Sequence, residues 1–77
     1  MPGMNHTVSA ELVASVLRVH VTVGQSVTAE DEVVLLESMK MEIPVLAERA
    51  GTVLEVVARP GDVVRDGDPL VVIGEVR

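Results

Sequence analysis

The hydrophobic pattern of the chain begins with two alternating segments. In residues 15–22 (SVLRVHVT) and 52–59 (TVLEVVAR), every second position from the third onward carries an apolar side chain. A period of two predicts a strand whose successive side chains point to opposite faces. In the first segment this places two sets of side chains on opposite faces: Val16, Arg18 and His20 on one, and Leu17, Val19 and Val21 on the other.

A continuous apolar run follows each alternating segment. The runs are VVLLE at 33–37 and LVVIG at 70–74, and a cluster of turn-forming residues precedes each of them. Gly24 and Gly61 lie in these clusters, where glycine can supply a positive φ. Short, β-branched runs between turn signals predict strands that are buried on both faces, and they disfavour a buried helix.

The two halves of the chain are copies of each other. When the sequence is shifted by 37 residues, segment 10–37 aligns with segment 47–74 and nine positions are identical. Because valine is abundant, the match of Asp31 with Asp68 and the match of the two turn glycines carry more weight than the valine matches. Two copies are too few for a solenoid. The repeat therefore predicts one closed domain with a pseudo-twofold axis.

The junction of the halves holds an unusual turn. The strand predicted at 33–37 and the extended stretch MEIPVL at 41–46 leave Met39 and Lys40 at the tip of a tight hairpin. Two-residue hairpin turns require positive φ at both central residues and favour Asn-Gly or Asp-Gly. Met-Lys is a poor choice, at about 1–3 kcal/mol for each strained residue. A local rule broken at one position of a consistent sequence indicates a functional site.

Composition narrows the fold further. The chain has 77 residues and contains no Phe, Tyr, Trp or Cys. This length fits one domain with a small aliphatic core, and the abundance of valine favours an all-β fold. Without cysteine no disulfide forms, and His6 and His20 are too isolated to predict a metal site. No nucleophile, base and orienting group occur in a catalytic arrangement, so we expect a protein that is not an enzyme.

The charge and hydropathy of the chain exclude some classes of partner. The net charge of −6 opposes binding to nucleic acid, whose phosphates require Lys and Arg. No apolar run is long enough to span a membrane. The N-terminal residues lack the basic and apolar regions of a signal peptide. We therefore expect a soluble cytoplasmic domain that binds neither nucleic acid nor a membrane and is a monomer on its own.

Lys40 is the only lysine of the chain. An exposed amine at a hairpin tip is poorly suited to general-base or Schiff-base chemistry, because both roles need a buried lysine. It is a good acceptor for an acyl group delivered by another protein. A rigid hairpin presents such an amine with little loss of conformational entropy on binding.

The motif ESMKME at 37–42 resembles the biotin-attachment motif of the biotinyl-domain family, whose core is Ala/Ser-Met-Lys-Met. The stretches 24–41 and 50–74 resemble the two halves of the family pattern, so the likeness covers about residues 8 to 74. It implies a flattened β-barrel or sandwich of two four-stranded antiparallel sheets with pseudo-twofold symmetry, a barrel-sandwich hybrid. We expect this biotinyl domain at 8–77, standing alone, after a short flexible N-terminal tail at 1–7.

The same resemblance implies a function. Lys40 would be the residue that a biotin protein ligase modifies, through attack of its amine on biotinyl-adenylate to give an amide. The covalent biotin would then carry CO2 from a biotin carboxylase subunit to a carboxyltransferase subunit. The family pattern also assigns recognition by the ligase to the residues that flank the lysine: Glu37, Ser38, Met39, Met41 and Glu42.

Alternatives remain at this point. A lipoyl carrier has the same fold and the same acyl-lysine chemistry, although lipoyl domains typically have Asp-Lys-Ala at the attachment site. An unmodified interaction module, as in adaptor segments of efflux proteins, is the other alternative. For the two flanking methionines the alternative is core filling, and for the flanking glutamates it is solubility.

Finally, Ala14 stands where the family has a glycine that matches Gly51, which bears on the geometry of the first hairpin.

Overall fold

A computed structural model describes residues 5–75, which form strands and turns and contain no helix. No helix that could cross a membrane is therefore present in this part of the chain. The all-β prediction is confirmed. The strands are β1 (His6–Ser9), β2 (Ala14–Val19), β3 (Ser26–Val27), β4 (Glu32–Ser38), β5 (Met41–Leu46), β6 (Gly51–Val56), β7 (Val63–Val64) and β8 (Pro69–Glu75).

The strands form two four-stranded antiparallel sheets. Their orders are β1-β8-β6-β3 and β5-β4-β2-β7. The 37-residue repeat carries β2 onto β6, β3 onto β7 and β4 onto β8, and in the reverse direction it carries β5 onto β1. These exchanges convert one strand order into the other, so the predicted pseudo-twofold relation holds. The same shift carries the β4–β5 turn to the position after the end of β8 and, in the reverse direction, to the position before the start of β1.

The space between the sheets is filled by aliphatic side chains alone. Among residues 5–75 no polar or charged residue is buried. Burial of this apolar surface is the main favourable term in folding. Strands β4 and β8 contribute most, as their continuous apolar runs predict. The largest fully buried side chains are Leu36, Leu70 and Ile73 with six valines, Val8, Val16, Val33, Val34, Val53 and Val71.

Strand β2 corrects one expectation. The prediction that Val16 shares a face with Arg18 and His20 is wrong, because Val16 is buried whereas the other two are exposed. The pairing of β2 with β4 shifts between Val16 and Arg18, which leaves Leu17 as an extra residue in a β-bulge. A bulge reverses the alternation on its far side. Strand β6 has the same shift around Leu54, so the repeat conserves the bulge.

The N-terminal boundary is also corrected. Residues 6 and 7 were expected in a tail at 1–7, but β1 begins at His6, which pairs with Ile73 as Thr7 pairs with Val72. Pairing with β1 covers the edge of β8, and an uncovered edge would expose a row of backbone groups. The remainder of the expected tail at 1–4, and positions 76–77 of the expected domain, lie outside the described residues.

Matched backbone hydrogen bonds tie the two halves together. The amide of Gly24 donates to the carbonyl of Val53 at 2.8 Å, and the amide of Gly61 donates to the carbonyl of Val16, also at 2.8 Å. Both glycines have φ of 95°, which side chains with a Cβ rarely adopt. Each turn therefore anchors to the central strand of the other half.

Gly51 marks a close approach of backbones in the second half. A Cβ atom at this position would lie 1.9 Å from the carbonyl oxygen of Gly74. Its copy in the first half, Ala14, is buried and pairs with Val64 in regular register. The alanine that departs from the family pattern is therefore accommodated, and only the second half requires glycine.

We expect Gly51→Ala to lower the free energy of unfolding by about 3 kcal/mol, since strands β6 and β8 must move apart to admit the methyl group. The matched variant Ala14→Gly should cost about 1 kcal/mol, from the loss of a small buried group and the added flexibility. Urea denaturation of both variants measures the difference. Equal midpoints for the two variants would contradict the close approach.

Candidate functional site

Met39 and Lys40 form the whole connection between β4 and β5. The last paired residues are Ser38 and Met41, so the hairpin has a two-residue turn. The φ angles are 53° for Met39 and 67° for Lys40. Positive φ at both central positions is the geometry of a type I′ turn, which matches the right-handed twist of the strands. The predicted hairpin with the lysine at its tip is confirmed.

The core holds this turn in its strained conformation. Left-handed φ costs a residue with a Cβ atom about 1–2 kcal/mol. Leu36, which is fully buried, pairs with Ile43, and Leu35 pairs with Pro44. A slip by one residue would turn Leu36 towards solvent. The register of the hairpin is thus fixed by burial, and the two residues left at its tip close it with a type I′ turn.

The side chains of the turn point into solvent. Met39 is 91% exposed and Met41 is 66% exposed. The alternative that these methionines fill the core is therefore wrong. Lys40 is exposed as well, and it has no ion-pair partner within residues 5–75. The turn presents a cationic amine between two flexible apolar side chains.

Two carboxylates lie beside each other at the base of the turn. Glu37 pairs with Glu42 across β4 and β5, and both side chains are exposed. The residue pair next to the closing pair of a two-residue hairpin is a non-hydrogen-bonded one, with Cα atoms about 4.5 Å apart. Like charges at this spacing destabilise a sheet. Their placement suits a basic surface on a binding partner.

Ser38 fastens a neighbouring loop to the turn. Its hydroxyl donates a hydrogen bond to the carbonyl of Val13 at 3.1 Å. Val13 lies in the connection between β1 and β2, and its side chain is 62% exposed. This bond holds the β1–β2 connection beside the hairpin that carries Lys40. Nothing in the sequence signals Val13, because its proximity depends on the pairing of β2 with β4.

Two histidine–glutamate pairs lie outside the turn. Nε2 of His6 hydrogen-bonds to Oε1 of Glu48 at 2.6 Å, and Nε2 of His20 hydrogen-bonds to Oε2 of Glu32 at 2.7 Å. Each pair joins residues that are distant in sequence, so no sequence pattern reveals it. Within residues 5–75 no cluster of His, Asp and Glu is arranged to hold a metal ion.

Comparison with known proteins connects this geometry to a family. The model of a family described as "Biotin-requiring enzyme" matches residues 4–73. The "Biotinylated protein TB7.3 homolog" of Mycobacterium leprae is 54% identical over 70 residues, which cover 91% of this chain and 99% of the relative. The "Biotin/lipoyl attachment protein" of Bacillus subtilis is 47% identical over 64 residues, which cover 83% of this chain and 88% of the relative.

One solved structure shares the fold over the full chain. It is a single-chain, multi-domain long-chain acyl-CoA carboxylase, with a TM-score of 0.87 and 34% sequence identity. The match covers 100% of this chain but only 8% of the carboxylase. The likeness therefore concerns one small domain of that protein.

We expect the double variant Met39→Asn/Lys40→Gly to stabilise the protein by about 1–3 kcal/mol, because both residues accept positive φ. For a domain of this size each kcal/mol raises the melting temperature by about 4–8 °C. Thermal unfolding followed by circular dichroism measures the change. The control is Lys40→Arg, which keeps the strain and should leave the melting temperature unchanged. A lower melting temperature for the double variant would refute the strained turn.

Proposed function

Because the chain belongs to the biotin and lipoyl attachment family of biotin-requiring enzymes, we propose that it is a biotin carrier whose biotin is attached to Nζ of Lys40. The observation that carries this proposal is the exposed, unpaired amine of the only lysine at the tip of a strained turn. No neighbouring side chain competes for the amine by ion pairing within residues 5–75. The site fits a group that is joined by an amide bond and extends into solvent.

The modification is an acyl transfer performed by a biotin protein ligase. Nζ, after loss of a proton to a base of the ligase, attacks the acyl carbon of biotinyl-adenylate. The new C–N bond forms an amide, and AMP leaves with the electrons of the broken C–O bond. The contribution of this chain is to hold the amine in a fixed position, which lowers the entropy lost when the ligase binds the hairpin.

The surface around Lys40 provides the contacts for the ligase. We assign this role to the flanking residues, which are exposed except for the half-buried Ser38. Methionine is enriched at protein interfaces. The paired carboxylates would meet basic groups of the ligase, and Ser38 would act by keeping the β1–β2 connection against the turn. The residues are Glu37, Ser38, Met39, Met41 and Glu42.

When biotin is attached, its ring nitrogen carries CO2 between a biotin carboxylase and a carboxyltransferase. The chain supplies the tether and makes or breaks no bond of the substrates, so it is not itself an enzyme. Tethering raises the local concentration of the carried group at both sites. Resemblance to a domain of a long-chain acyl-CoA carboxylase supports this role. We also propose that the carrier acts in the cytoplasm.

The carrier is proposed to be a monomer on its own. Strand β5 lies at the edge of its sheet, and Pro44 occupies a position that is not hydrogen-bonded to β4. At this position the backbone nitrogen faces outward, and proline removes the N–H that a second chain would need for strand pairing. The net charge of −6 adds repulsion between copies.

Co-expression with a biotin protein ligase should add one biotinyl group, measured as a mass increase of the intact protein. Lys40→Arg keeps the charge and removes the nucleophile, so this variant should gain no mass. A biotinyl increment that persists in the variant, or none in the parent chain, would refute the attachment site. Incubation with a lipoyl ligase tests the second candidate, a lipoyl carrier, which the name of the Bacillus subtilis relative includes beside biotin. We expect no lipoyl increment there.

Met39→Ala and Met41→Ala should each slow biotinylation by about tenfold, which corresponds to a loss of about 1.4 kcal/mol of binding. The matched control is Val23→Ala, since Val23 is 65% exposed and Met41 is 66% exposed, but Val23 lies in the turn after β2. The initial rate of biotin incorporation, measured by avidin blotting, distinguishes them. Equal rates for the three variants would show that the methionines are not recognised.

A further inference from the structure

The fold contains two clefts whose linings correspond in part under the repeat. The lysine-side cleft has a volume of about 260 Å³ and is lined by Glu11, Leu12, Leu36, Ile43 and others along β5. The terminal-side cleft has a volume of about 320 Å³. The 37-residue repeat carries lining residues of the first cleft onto lining residues of the second: Glu11 onto Glu48, Leu12 onto Arg49, Leu36 onto Ile73 and, in the reverse direction, Ile43 onto His6.

The two clefts differ in polarity. Where the lysine-side cleft has Leu12 and Ile43, the terminal-side cleft has Arg49 and His6. Nε2 of His6, which lines the terminal-side cleft, hydrogen-bonds at 2.6 Å to Oε1 of Glu48, which lines both clefts. Of the four lining positions that correspond between the clefts, two are apolar in the lysine-side cleft and charged or polar in the terminal-side cleft. This asymmetry points to a ligand that is present on one side alone.

The lysine-side cleft is within reach of a group attached to Lys40. Ile43 follows Lys40 by three residues along β5, which is a distance of roughly 10 Å. A lysine side chain joined to the five-carbon acid of biotin spans about ten bonds, or about 12 Å when extended. The bond from Ser38 to the carbonyl of Val13 also holds the loop that carries Leu12 next to the turn.

We propose that the lysine-side cleft docks the ring system of the biotinyl group on Lys40, an inference that rests on the proposed function. The thioether ring packs against Leu12 and Ile43, over a floor formed by the buried Leu36. The ureido N–H groups donate to the hydroxyl of Ser9 and the carboxylate of Glu11, which lie at the same cleft. A partner protein can bind the biotinyl group only when it is undocked. The apparent affinity of the partner is therefore its intrinsic affinity multiplied by the fraction that is undocked.

The first test uses protein that is biotinylated chemically. Because Lys40 is the only lysine, an N-hydroxysuccinimide ester of biotin modifies its side chain. The N-terminal amine reacts as well, and the Lys40→Arg variant treated in the same way shows which signals come from that second site. Methyl NMR spectra should show nuclear Overhauser contacts from biotin ring protons to Leu12 and Ile43, with no change at the methyl group of Ala50, which lines the terminal-side cleft. Perturbations confined to residues 38–42, without such contacts, would overturn the docking site.

The second test exchanges the linings of the two clefts. Leu12→Arg with Ile43→His gives the lysine-side cleft the side chains that the fold already accommodates in its other copy. For a docked fraction of one half to nine tenths, streptavidin capture of the biotinylated protein should accelerate by about two- to tenfold in this variant. Arg49→Leu is the control and should leave the capture rate unchanged. Equal rates in the parent and the double variant would overturn the proposal.

Docking and attachment can fail separately. Chemical acylation does not depend on a ligase, so ring contacts to Leu12 in chemically modified protein support the docking site even if the ligase adds no biotin. Ligase-dependent biotinylation of Lys40 without these contacts leaves the carrier function in place and refutes the cleft. Circular dichroism shows whether the double variant is folded. If it is unfolded, the nuclear Overhauser contacts in the parent protein alone decide whether the biotin ring docks in the cleft.

Discussion

The register of the β4–β5 hairpin is the constraint on which the candidate site depends. Burial of Leu36 opposite Ile43 fixes this register, because a slip of one residue would expose the core face of β4. Only Met39 and Lys40 then remain to reverse the chain. Both must adopt positive φ although neither residue favours it, and their side chains are directed into solvent as a result. Stability contributed by an aliphatic core thus offsets the strain at a turn that displays one amine.

Duplication supplies an internal comparison for every feature of the domain. The bulges at Leu17 and Leu54 and the backbone bonds of Gly24 and Gly61 occur in both halves, so they belong to the architecture. Other features differ between the halves, both at the hairpin and elsewhere; the His20–Glu32 hydrogen bond, for example, has no copy, because Val57 and Pro69 stand at the matching positions. The copy of the lysine turn falls on positions outside the described residues, and Leu12 and Ile43 of one cleft are matched in the other by Arg49 and by His6, which hydrogen-bonds to Glu48. The departures at the hairpin and at Leu12 and Ile43 support the proposed role of Lys40 and the proposed docking cleft.

The sequence predicts the repeat, the strands, the hairpin and its strained tip, because each follows from local periodicity or from the 37-residue shift. It does not locate the bulge in β2, since the adjacent apolar residues Val16 and Leu17 do not show which residue is the extra one in the ladder. The start of β1 at His6 was missed because this strand is short and gains its stability from pairing with β8. Val13 and the two clefts are also beyond sequence reasoning, because they arise from contacts between distant segments.

Rigid presentation of Lys40 is the central claim, and backbone relaxation of the turn tests it most directly. Amide ¹⁵N order parameters of Met39 and Lys40 should be about 0.85, the value of a rigid backbone. Strong contacts between each amide proton and its own Hα proton should accompany them, because positive φ brings these protons close together. Order parameters below about 0.6 would show a flexible loop, and they would contradict a turn whose conformation is set by the register of the core.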